Sequence, residues 1–375
     1  MKKLRIGIAG LGRAFAVMSR AFRDPRVELV AAADPRAEAR DRFARDYGGR
    51  SYAKVEELCA DPGVEVVYVA TPHELHAQHA VMAASGKKHV LVEKPMALSV
   101  GDCRAMTDAA RKNRVQLVVG HSHSFDLPIL HTKKLIDSNL YGPIRMITAL
   151  DFTDFVYRPR RPEELAAGAV YNQAAHHVDV VRLLAGGDVR SVRAFVGNWD
   201  PARRTDGAYT CLLGFDRGLS ATLVYSGYAH FDSDEFMGWI GEMGQRKDAD
   251  SYGLTRKALA SAADEVLLKT TRNYGGADFS ETEPVAHQHF GVVIASCEKA
   301  DLRPLPTGVM IYGNAEKRLE PLPAPEVPRR EVIDELYGAV VEGRPPLHSG
   351  EWAIATLEVC LAMLASARDR KEVLL

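Results

Sequence analysis

Short continuous apolar runs alternate with helix-like stretches through the first 120 positions. Leu4 to Ala9, Val27 to Ala33, Val64 to Ala70, Val90 to Val92 and Gln116 to Gly120 are runs of the first kind. Such runs are expected of strands covered on both faces. Helices are predicted from the turn after Ala9 to about Phe22, from Arg36 to Tyr47, up to Ser85, and from an N-cap at Ser99 to near Asn113. Strands alternating with helices predict a parallel, doubly wound α/β sheet with right-handed crossovers. After Gly120 the texture changes. A polar turn, His121 to Asp126, leads into a predicted helix over Ile129 to Ser138. Ile144 to Phe152, Val189 to Val196, Ala208 to Phe215 and Leu219 to Tyr225 then read as strands, with Asp216-Arg217-Gly218 as a hairpin-like turn. Further strands are predicted near Val292 and Val309. Asp248 to Ala277 reads as an excursion with its own helix, Pro321 to Pro328 as a connector, and Arg329 to Glu342 and Glu351 to Arg368 as closing helices. The expected organisation is a doubly wound domain at 1–123 and an α+β domain with a largely antiparallel open sheet at 124–375, its final helices packing back on the junction.

Composition narrows the function classes. A chain of 375 residues supports two domains with proper cores. Its 48 basic and 49 acidic residues nearly cancel, which gives no electrostatic support for nucleic-acid or anionic-membrane partners. The five cysteines are scattered and odd in number, which argues against a disulfide framework or zinc knuckle and for a reducing cytoplasm. Arg13 interrupts the apolar start, and no stretch is read as a signal peptide or membrane span.

Candidate chemistry sits at the ends of the predicted strands. Gly10-Leu11-Gly12-Arg13-Ala14-Phe15 follows the first strand and opens a helix, the order a dinucleotide site requires. Gly10 permits the tight turn, and Gly12 lets backbone amides approach a pyrophosphate. Phe15 occupies the third glycine position. Asp34, at the end of the second strand, can accept both ribose hydroxyls of NAD. Arg36 beside it can pair with the phosphate of NADP, so NAD is the expected cofactor with NADP as the alternative. Thr71, Pro72 and His76 follow the next strand, where the nicotinamide half of a dinucleotide would be faced. His89 to Val92 runs into Glu93-Lys94-Pro95, leaving Lys94 as either a proton carrier or a solvated strand end. In the second half, Asn172, His176 and Asp179 share one helical stripe. Tyr157-Arg158-Pro159-Arg160-Arg161-Pro162 presents clustered guanidinium groups suited to carboxylates. His121, His123 and Asp126 form the obvious metal-like cluster, but their spacing fits no usual zinc site, and no metal is expected.

Taken together, Gly10 to Arg13, Thr71-Pro72 with His76, Gly86 to Pro95 and Asn172 to Asp179 resemble the glucose-fructose oxidoreductase, inositol dehydrogenase and rhizopine-catabolism (Gfo/Idh/MocA) family over nearly the whole chain. Within it, Tyr157 to Leu165, Asn198 to Arg203 and Tyr225 to Phe236 are similar to the 4,5-dihydroxyphthalate dehydrogenases. The resemblance implies a catalytic Lys94 and a catalytic His176 assisted by Asn172. It implies a dinucleotide held by Gly10, Gly12, Arg13, Ala14, Asp34, Arg36, Thr71, Pro72, His76, Glu93 and Lys94. The substrate would meet His123, Tyr157, Arg158, Arg160, Arg161, Asn172 and His176. Asn172 and Ala174 stand where the family has Asp and Gly in its Asp-x-Gly-x-His-x-x-Asp helix, and Asn172 cannot take a proton at neutral pH. The implied activity is NAD(P)-dependent oxidation of a cyclic, carboxylated small molecule, with phthalate cis-4,5-dihydrodiol as the first expectation. Sugar, inositol or carboxylated hemiacetal oxidation is the second, and a non-catalytic dinucleotide sensor the third. A homodimer or homotetramer through the second sheet is also expected.

Overall fold

The structure, a computed structural model, describes residues 2–154, 168–201, 205–261, 265–279 and 283–375. They fall into two compact units. One comprises 1–121, 266–281 and 327–355; the other comprises 122–265, 282–326 and 356–375.

The first unit is built on six parallel strands. These are β1 (Leu4–Ala9), β2 (Val27–Ala33), β3 (Arg50–Tyr52), β4 (Val66–Val69), β5 (His89–Val92) and β6 (Leu117–Val119), in the order β3-β2-β1-β4-β5-β6. The order reverses beside β1, which defines the switch point where open α/β sheets bind ligands. Helices α1 (Arg13–Met18), α2 (Ala37–Tyr47), α3 (Val55–Ala60), α4 (His76–Ser85) and α5 (Val100–Asn113) connect the strands. The doubly wound expectation is met in detail at the α5 cap, where Ser99 Oγ accepts the Asp102 amide at 3.1 Å.

Helix α1 is shorter than its sequence predicts. It ends at Met18, and only a 3₁₀ turn, Ala21–Arg23, follows. Phe15 explains the departure at the third glycine position. Its ring is fully buried, 4.9 Å from that of Tyr274 and about 6.2 to 6.3 Å from those of Phe22, Phe43 and Tyr47. Where a glycine would let helix and strand close together, this chain fills the space with an aromatic cluster. Tyr274 comes from the excursion, which returns to this unit; its hydroxyl donates to Asp46 at 2.6 Å.

The second unit carries α6 (Leu127–Asp137), β7 (Ile144–Phe152), α7 (Ala175–Ala185), β8 (Ser191–Gly197), β9 (Ala208–Gly214), β10 (Ser220–Ser226), β11 (Val292–Cys297), β12 (Ala300–Leu305), β13 (Gly308–Gly313), β14 (Lys317–Pro321) and β15 (Val373–Leu374). Their sheet runs β14-β13-β12-β11-β7-β10-β9-β8-β15. Every pairing is antiparallel except β7 with β10. Period-two alternation leaves one face apolar and buried, with Ile147, Ala149, Leu223, Ala221, Cys211 and Leu213 inside. The opposite face exposes Met146, Phe195 and Leu212.

Helices α8 (Leu254–Ser261) and α9 (Glu265–Thr270) form the excursion, and α10 (Arg330–Val341) and α11 (Gly350–Asp369) close the chain. Helix α11 is long and apolar enough in composition to cross a membrane, although it carries Glu351 and Glu358 and half of its most apolar window is buried in the protein. Its polar contacts are those of a core helix. Thr356 donates to Asp179 at 3.0 Å and accepts from Arg182 at 2.7 Å, and Ser366 accepts the Ala194 amide at 3.0 Å.

Candidate active site

The cofactor-side residues gather at the carboxyl edge of the parallel sheet. Gly10 has φ +94°, and a Cβ there would lie 2.7 Å from the Ala70 carbonyl oxygen, so no other residue fits without moving the backbone just after β4. Gly12 caps α1, and a Cβ on it would meet nothing within 4 Å. Its smallness answers no protein neighbour, which fits an approach reserved for a pyrophosphate. Arg13 beside it is exposed and Ala14 half-buried. Asp34 is buried. One carboxylate oxygen accepts the Leu11 amide at 2.8 Å, and the other accepts the Arg36 amide at 2.9 Å and Arg36 Nε at 3.0 Å. The carboxylate thereby braces the glycine turn and holds Arg36 against it. These features fit NAD bound at the turn.

His76 begins α4 and is fully buried. Its ring nitrogens lie 2.9 Å from the Thr71 carbonyl and 3.0 Å from the Pro95 carbonyl. Burial pushes its pKa down, against the opposing pull of these carbonyl acceptors. The ring ties the turn after β4 to the turn after β5, an indirect service to a cofactor site. Thr71 is tied back as well, its hydroxyl 3.0 Å from His79 Nδ1, whereas Pro72 is exposed. Glu93 and Lys94 end β5. Glu93 is buried and accepts a hydrogen bond from the Tyr68 hydroxyl. Burial pushes its pKa up, opposed by the Tyr68 bond and the nearby charges of Arg329 and Lys94. Lys94 itself is half-buried.

The substrate-side residues lie in the second unit. The helix carrying Asn172 and His176 is not the uniform α-helix its spacing predicts: Val170–Ala174 is a π-helical turn, and α7 starts only at Ala175. π turns of this kind recur at functional sites. Asn172 is half-buried and His176 is buried. Asp179 does not join them as a free carboxylate. It accepts from Ser124 at 2.6 Å and from Thr356 at 3.0 Å, fastening α7 to its surroundings. His123 has its ring centroid 4.7 Å from that of His176, and Phe290 packs on both, at 5.2 and 4.9 Å. Tyr157, Arg158, Arg160 and Arg161 lie outside the described residues.

Residues 4–121 match the oxidoreductase family with the NAD-binding Rossmann fold, and residues 129–245 match the C-terminal domain of the same GFO/IDH/MocA group. The chain belongs to the Gfo/Idh/MocA oxidoreductase family. A 1-carboxy-3-chloro-3,4-dihydroxycyclohexa-1,5-diene dehydrogenase from Comamonas testosteroni is 45% identical over 377 aligned positions, covering 97% of this chain and 95% of that protein. A solved structure from Bordetella bronchiseptica RB50, assigned as a dehydrogenase, superposes with a TM-score of 0.94 at 38% identity over all of both chains. The WlbA dehydrogenase from Bordetella pertussis, in complex with NADH and UDP-GlcNAcA, shares the fold at a TM-score of 0.71 and 21% identity, covering 100% of this chain and 99% of that one. This Gfo/Idh/MocA member is an NAD(P)-dependent dehydrogenase with the family's NAD-binding fold.

Sequence reasoning missed Tyr68, Glu242 and Phe290. Tyr68 is hidden inside the apolar run of β4, where periodicity marks it only as core. Glu242 lies 119 positions from its partner His123 in a stretch with no regular period. For Phe290 the only available signal is its place in His287-Gln288-His289-Phe290, just before a predicted strand.

Proposed function

We propose that this dehydrogenase oxidises a carboxylated cyclohexadiene cis-diol to the corresponding catechol, with phthalate cis-4,5-dihydrodiol the preferred member of that class. The observation that carries the reading is the 45% identity, along nearly the full chain, to a dehydrogenase acting on a carboxylated dihydroxycyclohexadiene. The guanidinium groups of Arg158, Arg160 and Arg161 support it from the sequence, because a neutral sugar has no use for them and a ring carboxylate does.

When bound, NAD supplies the hydride acceptor for the carbinol C–H bond. The protein's part is the proton. Lys94, at the end of a rigid apolar strand, and His176, on the helix of the second unit, are assigned its acceptance from the hydroxyl, and Asn172 is assigned the orientation of that hydroxyl. Loss of hydride and proton leaves a cyclic enone whose tautomerisation gives the aromatic ring, so product aromaticity draws the oxidation forward. NADH formation with the phthalate dihydrodiol, inositol, a panel of neutral sugars and carboxylated muconate semialdehydes tests the assignment. Values of kcat/KM at least about 10²-fold higher on the carboxylated diol are expected, well within what a site built for specific polar recognition discriminates. Activity confined to neutral sugars overturns it.

The same reading includes pairing of chains through the exposed sheet face that carries Phe195 and Leu212. Sedimentation velocity should find a dimer or tetramer that Leu212→Glu shifts towards monomer. An unaltered assembly in that variant excludes this face.

A further inference from the structure

We propose that His123 is a positioning residue: a doubly donating imidazolium, held between Asp126 and Glu242, that keeps the neighbouring His176 neutral and so ready to accept the substrate proton. The inference rests on the assignment of His176 as a proton acceptor made above.

The geometry begins with what the two ring nitrogens of His123 face. Nδ1 lies 2.7 Å from Asp126 Oδ2, and Nε2 lies 3.4 Å from Glu242 Oε1. An ionised carboxylate has acceptors only, so each nitrogen must carry a hydrogen to satisfy it, and a ring with two N–H groups is a cation. His123 is buried along with Asp126, while the Glu242 side chain is half-exposed. His76 provides an internal contrast. It too places both nitrogens against oxygens, but those are neutral carbonyls, and burial lowers its pKa. At His123 burial also acts downwards, yet the Asp126 and Glu242 charges overcome it and lift the group to about 9. With both nitrogens spent on these carboxylates, His123 offers a substrate no N–H unless Glu242 moves aside.

The charge stands directly beside His176. The two rings meet edge to face, with centroids 4.7 Å apart and planes at 68°. Phe290 lies against both rings and offers no countercharge. A second imidazolium there would repel the first across a poorly screened gap. From its own helix, His176 has His177 and Asp179 as titratable neighbours. Asp179 is committed to Ser124 and Thr356. His177 is fully buried with Nδ1 2.8 Å from the Tyr209 hydroxyl, and it is pushed down to about 3, first by burial and then by the charge of His123. The His123 charge is thus already felt along this helix. Around Glu242, Asp151 feels the charges of Glu242, Asp234 and Asp232; Lys247 pairs with Asp232 and Asp234, His289 lies 3.6 Å from Asp234, and a ring nitrogen of buried His121 lies within 4.8 Å of the His123–Asp126 pair.

The test is an NMR titration of His176 in the full chain without substrate, run beside the pH profile of kcat/KM. His123→Gln removes the cation but keeps the hydrogen-bonding size; His123→Arg restores a fixed cation able to pair with Asp126. In the Gln variant the His176 midpoint should rise by about one pH unit or more, which is a roughly tenfold change in its neutral fraction at acidic pH. The acid limb of kcat/KM should move up with it, and the Arg variant should return both towards wild type. Asp126→Asn, which weakens the hold on the His123 proton, should shift the midpoint in the same direction and serves if the Gln variant folds poorly. An unchanged His176 midpoint in both neutralising variants overturns the inference whatever turnover does. A shifted midpoint with an unmoved acid limb shows that the electrostatic coupling exists but that His176 is not the proton acceptor, which overturns the functional assignment instead.

Discussion

Replacing Lys94 by Met is expected to lower kcat by about 10²- to 10⁴-fold, the usual worth of a positioned acid–base group, while leaving NADH binding within roughly twofold of wild type. In β5, Val90, Leu91 and Val92 are fully buried and pair with β4 and β6 on either side. That strand fixes the backbone up to Val92 and delivers Glu93 and Lys94 to the carboxyl edge. Glu93 is then withdrawn from solvent and bonded to Tyr68, so it stiffens the turn. Met retains the length and apolar stem of Lys, and so preserves the packing of the half-buried side chain while removing only the ammonium group. Single-turnover hydride transfer, with NADH affinity read separately by fluorescence, distinguishes a lost proton carrier from a damaged cofactor site. Full turnover in the Met variant would remove Lys94 from the mechanism. Weakened NADH binding with unchanged single-turnover rate would make it a cofactor ligand only.

Both the Lys94 turn and the glycine turn were legible because they lie where a buried apolar run stops, and an apolar run that stops at charged residues or glycines is visible without any structure. The doubly wound sheet was legible for the same reason. What periodicity could not show are elements made of polar residues at sheet edges. β3 is Arg50-Ser51-Tyr52 with its first two residues exposed, and β14 is Lys317-Arg318-Leu319-Glu320-Pro321, which carries no apolar alternation. Pro304 within β12 argues against a strand on sequence grounds, yet the strand pairs on both sides. The site shows the same division. His123 and Asp126 lie three apart and were visible as a cluster, but as a metal-like one; the carboxylate that completes the pairing is Glu242, and no local pattern links it to them. The π turn before His176 has no sequence signature either, since Val170 to Ala174 would suit an α-helix equally well.

Asp151 is the remaining strongly perturbed acid of this neighbourhood, and Asp151→Asn is expected to stabilise the protein by roughly 4 kcal/mol at pH 8 while making little difference near pH 4. Asp151 lies buried on β7, and its pKa is lifted from 3.8 to about 7 by burial first and then by the nearby charges of Glu242, Asp234 and Asp232. The Ser233 hydroxyl, donating to it at 2.8 Å, opposes the lift without cancelling it. A carboxyl with a raised folded-state pKa binds its proton more tightly in the native than in the unfolded chain. Its stabilising contribution is therefore fully present below about pH 4, declines as the pH rises, and is gone above about pH 7. The lift of about three units, at about 1.4 kcal/mol each, sets the size of the effect. Asn keeps the shape and an acceptor for Ser233 but has no proton to lose. Asp24, Asp61 and Glu65 have lowered pKa values and lose their contributions only as the pH falls through the acid range, so the two classes separate in a pH series. Urea unfolding at pH 4, 6 and 8 should show wild type weakening relative to the Asn variant between the first and last points, and parallel curves would refute the buried-acid account. Because Glu242 contributes to the lift at Asp151 and also faces His123, ionisation of Asp151 above pH 7 adds a negative charge behind the carboxylate that holds the imidazolium. The stability change and the protonation of His123 are thus coupled through one side chain, and Glu242→Gln should lower both midpoints together.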